Sequence, residues 1–115
     1  MSTFPGKGKV AVVKTSPATE LDDYARVMEL AGVRDALPHG PTTALKINIS
    51  WQTWYPACSS APWQIEGVAL ALKNAGYTDL VGVHNDTVVV NAKDGEFNNK
   101  HRFVTDCLGE RILQR

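Results

Sequence analysis

The sequence predicts an α/β fold: a Rossmann-like three-layer sandwich with a mostly parallel sheet of about four strands and helices on both faces. Three observations predict it. Short β-branched runs alternate with segments of helical periodicity, the connections between them are short, and 115 residues suit a single domain. We assign the small and polar residues 1–8 to a flexible leader and residues 9–115 to the domain.

The first predicted unit is a strand followed by a helix. The run KVAVVKT at 9–15 is rich in valine, which is typical of a buried strand. Apolar residues then recur at helical spacing from about Glu20 to Ala31. Thr19 is a suitable N-cap for this helix, and Gly32 is suited to the position after its last turn.

Two further strands flank a second helix. ALKINIS at 44–50 alternates apolar and polar side chains, so its leucine and isoleucines are expected on one face. A helix is expected from Pro62 to Ala75, since proline is favoured at the first helical position, and Gly76 ends it. DLVGVHN at 79–85 is the third predicted strand.

The last part of the chain has weaker patterns. TVVVN at 87–91 reads as extended, Asp94-Gly95 as a turn, and 101–108 as a helix. ERIL at 110–113 begins a fourth strand. Because the chain stops there, we expect it to be the N-terminal part of a longer protein. The incomplete edge would then favour self-association or docking of a partner.

Composition excludes several classes of function. Twelve basic residues balance twelve acidic ones, so no excess of positive charge favours nucleic acid. No apolar run approaches the ~20 residues of a membrane span. The N-terminus lacks the apolar region of a signal peptide, which predicts a cytoplasmic protein in which Cys58 and Cys107 are free thiols. No metal-ligand spacing, dinucleotide fingerprint or phosphate-binding loop motif occurs, so no metal site is predicted and the cofactor stays unknown.

The segment KINISWQTWYPACSSAPW at 46–63 is the candidate site, because it holds all three tryptophans. In open α/β sheets ligands bind at the carboxyl ends of the strands. Lys46 would meet an anionic group, Asn48 and Ser50 would orient it, and the tryptophans would cover it. The predicted ligand-binding residues are Lys46, Asn48, Ser50, Trp51, Trp54, Cys58, Ser59, Ser60, Asn85 and Asp86.

Some of these residues have a second interpretation. Cys58, Ser59 and Ser60 precede a helix, where free N–H groups favour an anion and a reactive thiol. They also suit a small buried cysteine and ordinary capping serines. His84 precedes Asn85 and Asp86 at the end of the third strand, where the asparagines near residue 98 can join them.

The polar strand face and the aromatic loop also have structural interpretations. The face of Lys46 can simply border solvent, or Lys46 can pair with Asp86. The loop can pin itself down with its own side chains. Two classes of function follow: a small-molecule site for an anionic or polyhydroxylated ligand, and a non-catalytic scaffold or interaction domain. Tryptophans that converge on Lys46 and Asn48 favour the ligand, whereas an exposed aromatic patch away from them favours an interface.

The runs KVAVVKT, LKINISW, YPACSSAPWQIEGVALALKNAG and VHNDTVVVNAKDGEFNNK together resemble the DUF362 family, a domain of unknown function. Lys46 and Asn48 stand where that family has a lysine–asparagine strand end, with Ile47 in place of proline. Pro62 and Gly76 match its helix start and end. The resemblance covers about residues 9–100 and implies an α/β domain without a settled activity.

Some DUF362 proteins carry ferredoxin-like cysteine clusters after the domain. This chain has two cysteines, so it holds no iron–sulfur ligand set of its own. The resemblance therefore leaves a redox role only as part of a larger iron–sulfur protein.

Overall fold

A computed structural model describes residues 6–55, 57–84, 91, 94, 95 and 98, and the backbone of 112–114. In chain order the elements are α1 (Glu20–Leu30), α2 (Val33–Ala36), β1 (Thr43–Lys46), α3 (Pro62–Asn74), β2 (Leu80–His84) and β3 (Ile112–Gln114). The strands form a parallel sheet in the order β1-β2-β3. The α/β class and the parallel sheet are therefore confirmed.

Helix α1 begins and ends close to the predicted residues. Thr19 occupies the N-cap position, but its hydroxyl donates to the Asp23 carboxylate at 2.7 Å instead of capping a backbone N–H. Gly32 follows the helix with φ +79°, the left-handed conformation that glycine adopts without strain. Helix α2, which lies in a predicted connection, was not foreseen, because four residues are too few to show a period.

Helix α3 also matches its prediction. Pro62 is at its first position, and the Ala61 N–H donates to the Gln64 side-chain oxygen at 2.8 Å. Its buried face packs on the sheet. The core residues are Ile47, Ile49, Ile65, Ala69, Leu72, Ala75, Tyr77 and Leu80.

The contact between α1 and α3 is close because a glycine lies at the crossing. A Cβ atom added to Gly67 would overlap the ring of Tyr24. Met28 of α1 and Val33 of α2 pack against the same core as α3. All the described helices thus contribute to one side of the sheet.

The alternation predicted for the second strand is confirmed. Ile47 and Ile49 are buried, whereas Lys46 and Asn48 are exposed. Strand β1 ends at Lys46, but the N–H of the next residue, Ile47, still donates to the Val83 carbonyl of β2 at 2.9 Å. Because this face of β1 is open to solvent, the described residues form two layers and not the expected three-layer sandwich.

The prediction of a first strand at 9–15 is wrong. The segment belongs to no strand, and Val10 and Val12 are 88% and 78% exposed. It lies along α1 instead, where Val13 shares a small cavity with Tyr24 and Val27. The physical reason is that Val13 packs against α1, and among the described strands β1 pairs only with β2, so the backbone of the segment is not part of the sheet. The described sheet therefore has three strands and not four.

The fourth predicted strand is present in part. Strand β3 begins two residues after the predicted start of 110–113 and pairs in parallel with β2. The proposed helix at 101–108, Cys107 and most of 87–91 lie outside the described residues. In the part of the chain that the structure covers, no helix has the length and apolar character needed to cross a bilayer.

Candidate functional site

The structure brings most of the predicted site residues together at the carboxyl end of β1. The Asn48 side-chain amide donates to the Ser50 hydroxyl and to the Cys58 carbonyl, both at 3.0 Å. The backbone N–H groups of Asn48 and Ser50 donate to the hydroxyls of Ser60 and Ser59, at 3.0 and 3.2 Å. The Ser60 N–H in turn donates to the Asn48 carbonyl at 2.9 Å.

These hydrogen bonds join the two ends of the aromatic loop. The serine hydroxyls receive backbone N–H groups that no neighbouring strand pairs in the described residues, so they act where a ladder would otherwise continue. Both amide hydrogens of Asn48 are directed at loop atoms. In this structure the side chains of Asn48, Ser59 and Ser60 therefore fix the loop.

Lys46 lies outside this network. It is exposed, and its ammonium group donates to the carbonyl of the next residue, Ile47, at 2.7 Å. An ammonium group has three donors, so two remain for another acceptor. The alternative pairing of Lys46 with Asp86 falls outside the described residues, as do all other contacts of Asn85 and Asp86.

Four aromatic side chains stand at this end of the molecule. Trp51, Trp54, Tyr55 and Trp63 are between 44% and 59% exposed. Trp51 directly follows Ser50, and Trp63 lies three residues after Ser60, so the serine hydrogen bonds hold both ends of the loop together. We call these four residues the aromatic end.

A turn in the middle of the loop is conformationally unusual. The Cys58 N–H donates to the Tyr55 carbonyl at 3.1 Å, and Ala57 between them has φ +72°. That region favours glycine, because a Cβ crowds the following carbonyl there. Cys58 itself is exposed with a free thiol, so its interpretation as a small buried residue is wrong.

Gln52, which no sequence pattern marks as a site residue, anchors the loop from the other side. Its side-chain oxygen accepts the Asn91 N–H at 3.1 Å, and its carbonyl accepts the Asn98 amide at 2.6 Å. Gly95 lies so close to Ile49 that an added Cβ would overlap the isoleucine side chain. Asn98, which was expected beside Asn85 and Asp86, contacts the aromatic loop through Gln52, a residue whose sequence context gave no signal. Its expected neighbours Asn85 and Asp86 lie outside the described residues.

His84 is not available at the surface. It ends β2 and is 5% exposed, on the same face of the sheet as Leu80. Within the described ranges, no group of three or more histidine, cysteine or acidic side chains is placed to hold a metal ion.

A groove runs along the outer edge of β1, beside the loop network. It has a volume of about 300 Å³, and we call it the edge groove. Its lining residues are Tyr24, Ala44, Leu45, Lys46, Ile47, Ser60, Gln64, Ile65 and Val68. Burial, followed by the nearby Glu20 carboxylate, raises the pKa of Tyr24 above its ordinary value.

The comparisons with known proteins decide nothing further. The chain matches no family model, no curated protein and no solved structure. Its resemblance to the DUF362 family therefore stays a prediction.

Proposed function

We propose that this chain is a non-catalytic interaction domain whose aromatic end contacts a partner polypeptide. The observation that supports it most is the exposure of the four large aromatic side chains, 44–59% each, at one end of the molecule. Tryptophan and tyrosine are the residues that most often dominate binding energy at protein interfaces.

The state of the predicted ligand residues supports the same proposal. Asn48, Ser50, Ser59 and Ser60 are engaged with one another and with the loop backbone. A loop held at both ends presents its aromatic side chains without a large entropic cost of ordering on binding. None of the tryptophans lines the edge groove, the place where Lys46 is found.

Partner capture with a matched control tests the proposal. The bait is the full chain, as wild type, as Trp51→Ala/Trp54→Ala, or as Val10→Ala/Val12→Ala, which removes exposed apolar surface elsewhere. We expect a protein that the wild type and the valine variant retain and the tryptophan variant loses. Identical captured sets for all three baits, quantified by mass spectrometry, would refute the proposal.

A small anionic or polar ligand is the second candidate, favoured by one observation. Lys46 and Ser60, both predicted ligand residues, line the edge groove together with the polar groups of Tyr24 and Gln64. Its volume of about 300 Å³ is at the lower end for small-molecule sites.

Tryptophan fluorescence tests this second candidate. The purified chain is titrated with nucleotides, sugar phosphates, carboxylates and divalent metals, with Lys46→Ala as control. A saturable change that the variant loses would establish the ligand class. Flat titrations of a folded chain would remove this candidate and leave the interaction domain.

A further inference from the structure

The outer edge of β1 presents backbone groups without a strand partner among the described residues. The Thr43 N–H donates to the Asp79 carbonyl at 2.8 Å and the Ile47 N–H to the Val83 carbonyl at 2.9 Å, both toward β2. Alternate residues of a strand direct their peptide groups to opposite edges, so those of Ala44 and Lys46 point away from the sheet.

This open edge has a defined end. At Asn48 the returning loop closes it, because the Asn48 N–H and carbonyl bond to Ser60. The open stretch is therefore Ala44 to Lys46, and both of these residues are exposed. Exposed edges of this kind are templates for pairing with another chain.

The edge groove suits an extended strand in shape and polarity. Leu45, Ile65 and Val68 form an apolar side, against which alternate side chains of a strand can pack. The polar groups of Tyr24 and Gln64 lie beside it from the two helices.

Charge complementarity defines the occupant. Lys46 is the one charged side chain among the described residues that line the groove. It belongs to the exposed face of β1, opposite the face of Leu45 and Ile47. An added strand would therefore place apolar residues toward the helices and an acidic residue, on its other face, beside Lys46.

The segment 9–15 borders the same region. Tyr24 lines both the edge groove and the small cavity that contains Val13 and Thr15. An extended segment that belongs to no strand and an open strand edge thus meet at one α1 residue. On this side the described sheet ends where a neighbouring strand would fit.

We propose that an extended, acidic segment of a partner protein adds to the outer edge of β1 as a further strand. This proposal rests on the proposed function in one respect, namely that the binding partner is a polypeptide. It concerns a different surface from the aromatic end. Backbone pairing with Ala44 and Lys46 supplies affinity, and an acidic side chain beside Lys46 supplies selectivity.

The probe is the peptide acetyl-Thr-Val-Glu-Val-Glu-Val-Thr-amide, added to the isotope-labelled full chain. Amide hydrogen exchange is followed by nuclear magnetic resonance. We expect slower exchange at the amides of Ala44 and Lys46, with smaller changes at the aromatic end. The same peptide with lysine in place of both glutamates should bind about fivefold more weakly, as one cross-strand charge contact predicts.

Two pairs of variants make the test specific. Ala44→Pro removes the outward N–H, whereas Ala44→Val keeps it, so the proline variant should bind about tenfold more weakly than the valine variant. Lys46→Glu should reverse the preference and select the lysine peptide. The reversal keeps the test valid if Ala44→Pro does not fold.

Three results would overturn the inference. They are an acidic peptide that does not bind, equal binding by Ala44→Pro and Ala44→Val, and protection confined to the aromatic end. The last result would contradict strand addition while leaving the proposed interaction domain intact. Conversely, the amides of Ala44 and Lys46 could be protected by the peptide while the wild type and the tryptophan variant capture identical proteins. That result would refute only the claim that the aromatic end binds a partner.

Discussion

Two extended segments of this chain place alternate side chains against helices, but only one of them belongs to the sheet. In β1 and its continuation, Ile47 is 2% exposed and its N–H pairs with β2. In segment 9–15, Val13 is half-buried beside α1, whereas Val10 and Val12 stand in solvent. A helix covers one face of each segment; the neighbouring strand is what differs.

A buried strand has two separate requirements, a covered face and a paired backbone. Alternation of side chains needs only one covered face, and α1 supplies it for segment 9–15. Pairing needs a second backbone at a spacing of about 4.8 Å. Segment 9–15 is held by side chains instead, since Val13 and Thr15 line one small cavity together with Asp23 in the first turn of α1.

Truncating one apolar side chain in each segment tests the comparison most strongly. Ile47→Ala should lower the free energy of unfolding by about 3 kcal/mol, because a core isoleucine leaves a cavity. Val12→Ala should change it by less than about 0.5 kcal/mol, as surface substitutions do. Urea unfolding of both variants, followed by circular dichroism, measures the difference.

Equal losses in the two variants would contradict this account. A large loss for Val12→Ala would mean that the valines of segment 9–15 are buried in solution, against a second copy or another element. Repeating the measurement at several protein concentrations distinguishes these cases, because association makes stability depend on concentration.

The elements that the sequence predicts well are those with a local cause. The α3 helix has a proline at its start, a left-handed glycine at Gly76 after its end and a regular apolar face between them. The alternation around Ile47 and Ile49 is equally local. The failure at 9–15 has the opposite character, since strand pairing depends on where the segment lies relative to another strand in the fold.

The sequence placed the candidate site at the end of β1, whereas its ligand role stays a prediction. Residue types placed Asn48, Ser59 and Ser60 at the strand end, where they are found. Whether they bind a ligand or the loop depends on tertiary distances that no local pattern encodes. Gln52 carries no motif at all, and it became identifiable only through its bonds to residues about 40 positions later.

The next test concerns Tyr24, which borders both β1 and segment 9–15. Its ring packs on Gly67 of α3. Gly67→Ala should destabilise the chain by about 1–2 kcal/mol, because overpacking exceeds the roughly 1 kcal/mol gained in helix propensity. A double-mutant cycle with Tyr24→Ala should recover much of the loss, and a stabilised Gly67→Ala protein would contradict the close crossing.

The loop after β1 has no counterpart after segment 9–15. In that loop we expect a smaller change in the free energy of unfolding. Ala57→Gly should raise the free energy of unfolding by about 0.5–1 kcal/mol, since glycine adopts the positive φ without strain. Thermal unfolding measures it. Ala31→Gly, at an exposed position with φ −74°, is the matched control and should not stabilise the chain.

The smallest effect concerns pH at the anchor of segment 9–15. The Thr19 hydroxyl lowers the pKa of Asp23 below its ordinary value of 3.8, against the opposing effect of burial, and Thr15 and Arg26 lower it further. A folded pKa below the unfolded one stabilises the protein above the unfolded value, and this is lost as pH falls through the folded pKa.

Asp23→Asn isolates that contribution. Wild type should exceed the variant in stability at pH 7, and the difference should shrink as the pH falls below about 4. Tryptic cleavage after Lys9 and Lys14 at pH 7 should be faster in the variant. A stability difference that stays constant from pH 7 to pH 3 would show that Asp23 does not anchor the segment through its charge.

Affinity for a captured partner is the measurement that tests the central claim most directly. The purified partner is titrated against wild type, Trp51→Ala/Trp54→Ala and Val10→Ala/Val12→Ala by calorimetry. We predict at least about a 30-fold loss for the tryptophan variant, as interface hot spots give, and no change for the valine variant. Equal affinity of the wild type and the tryptophan variant would contradict the claim that the aromatic end binds the partner.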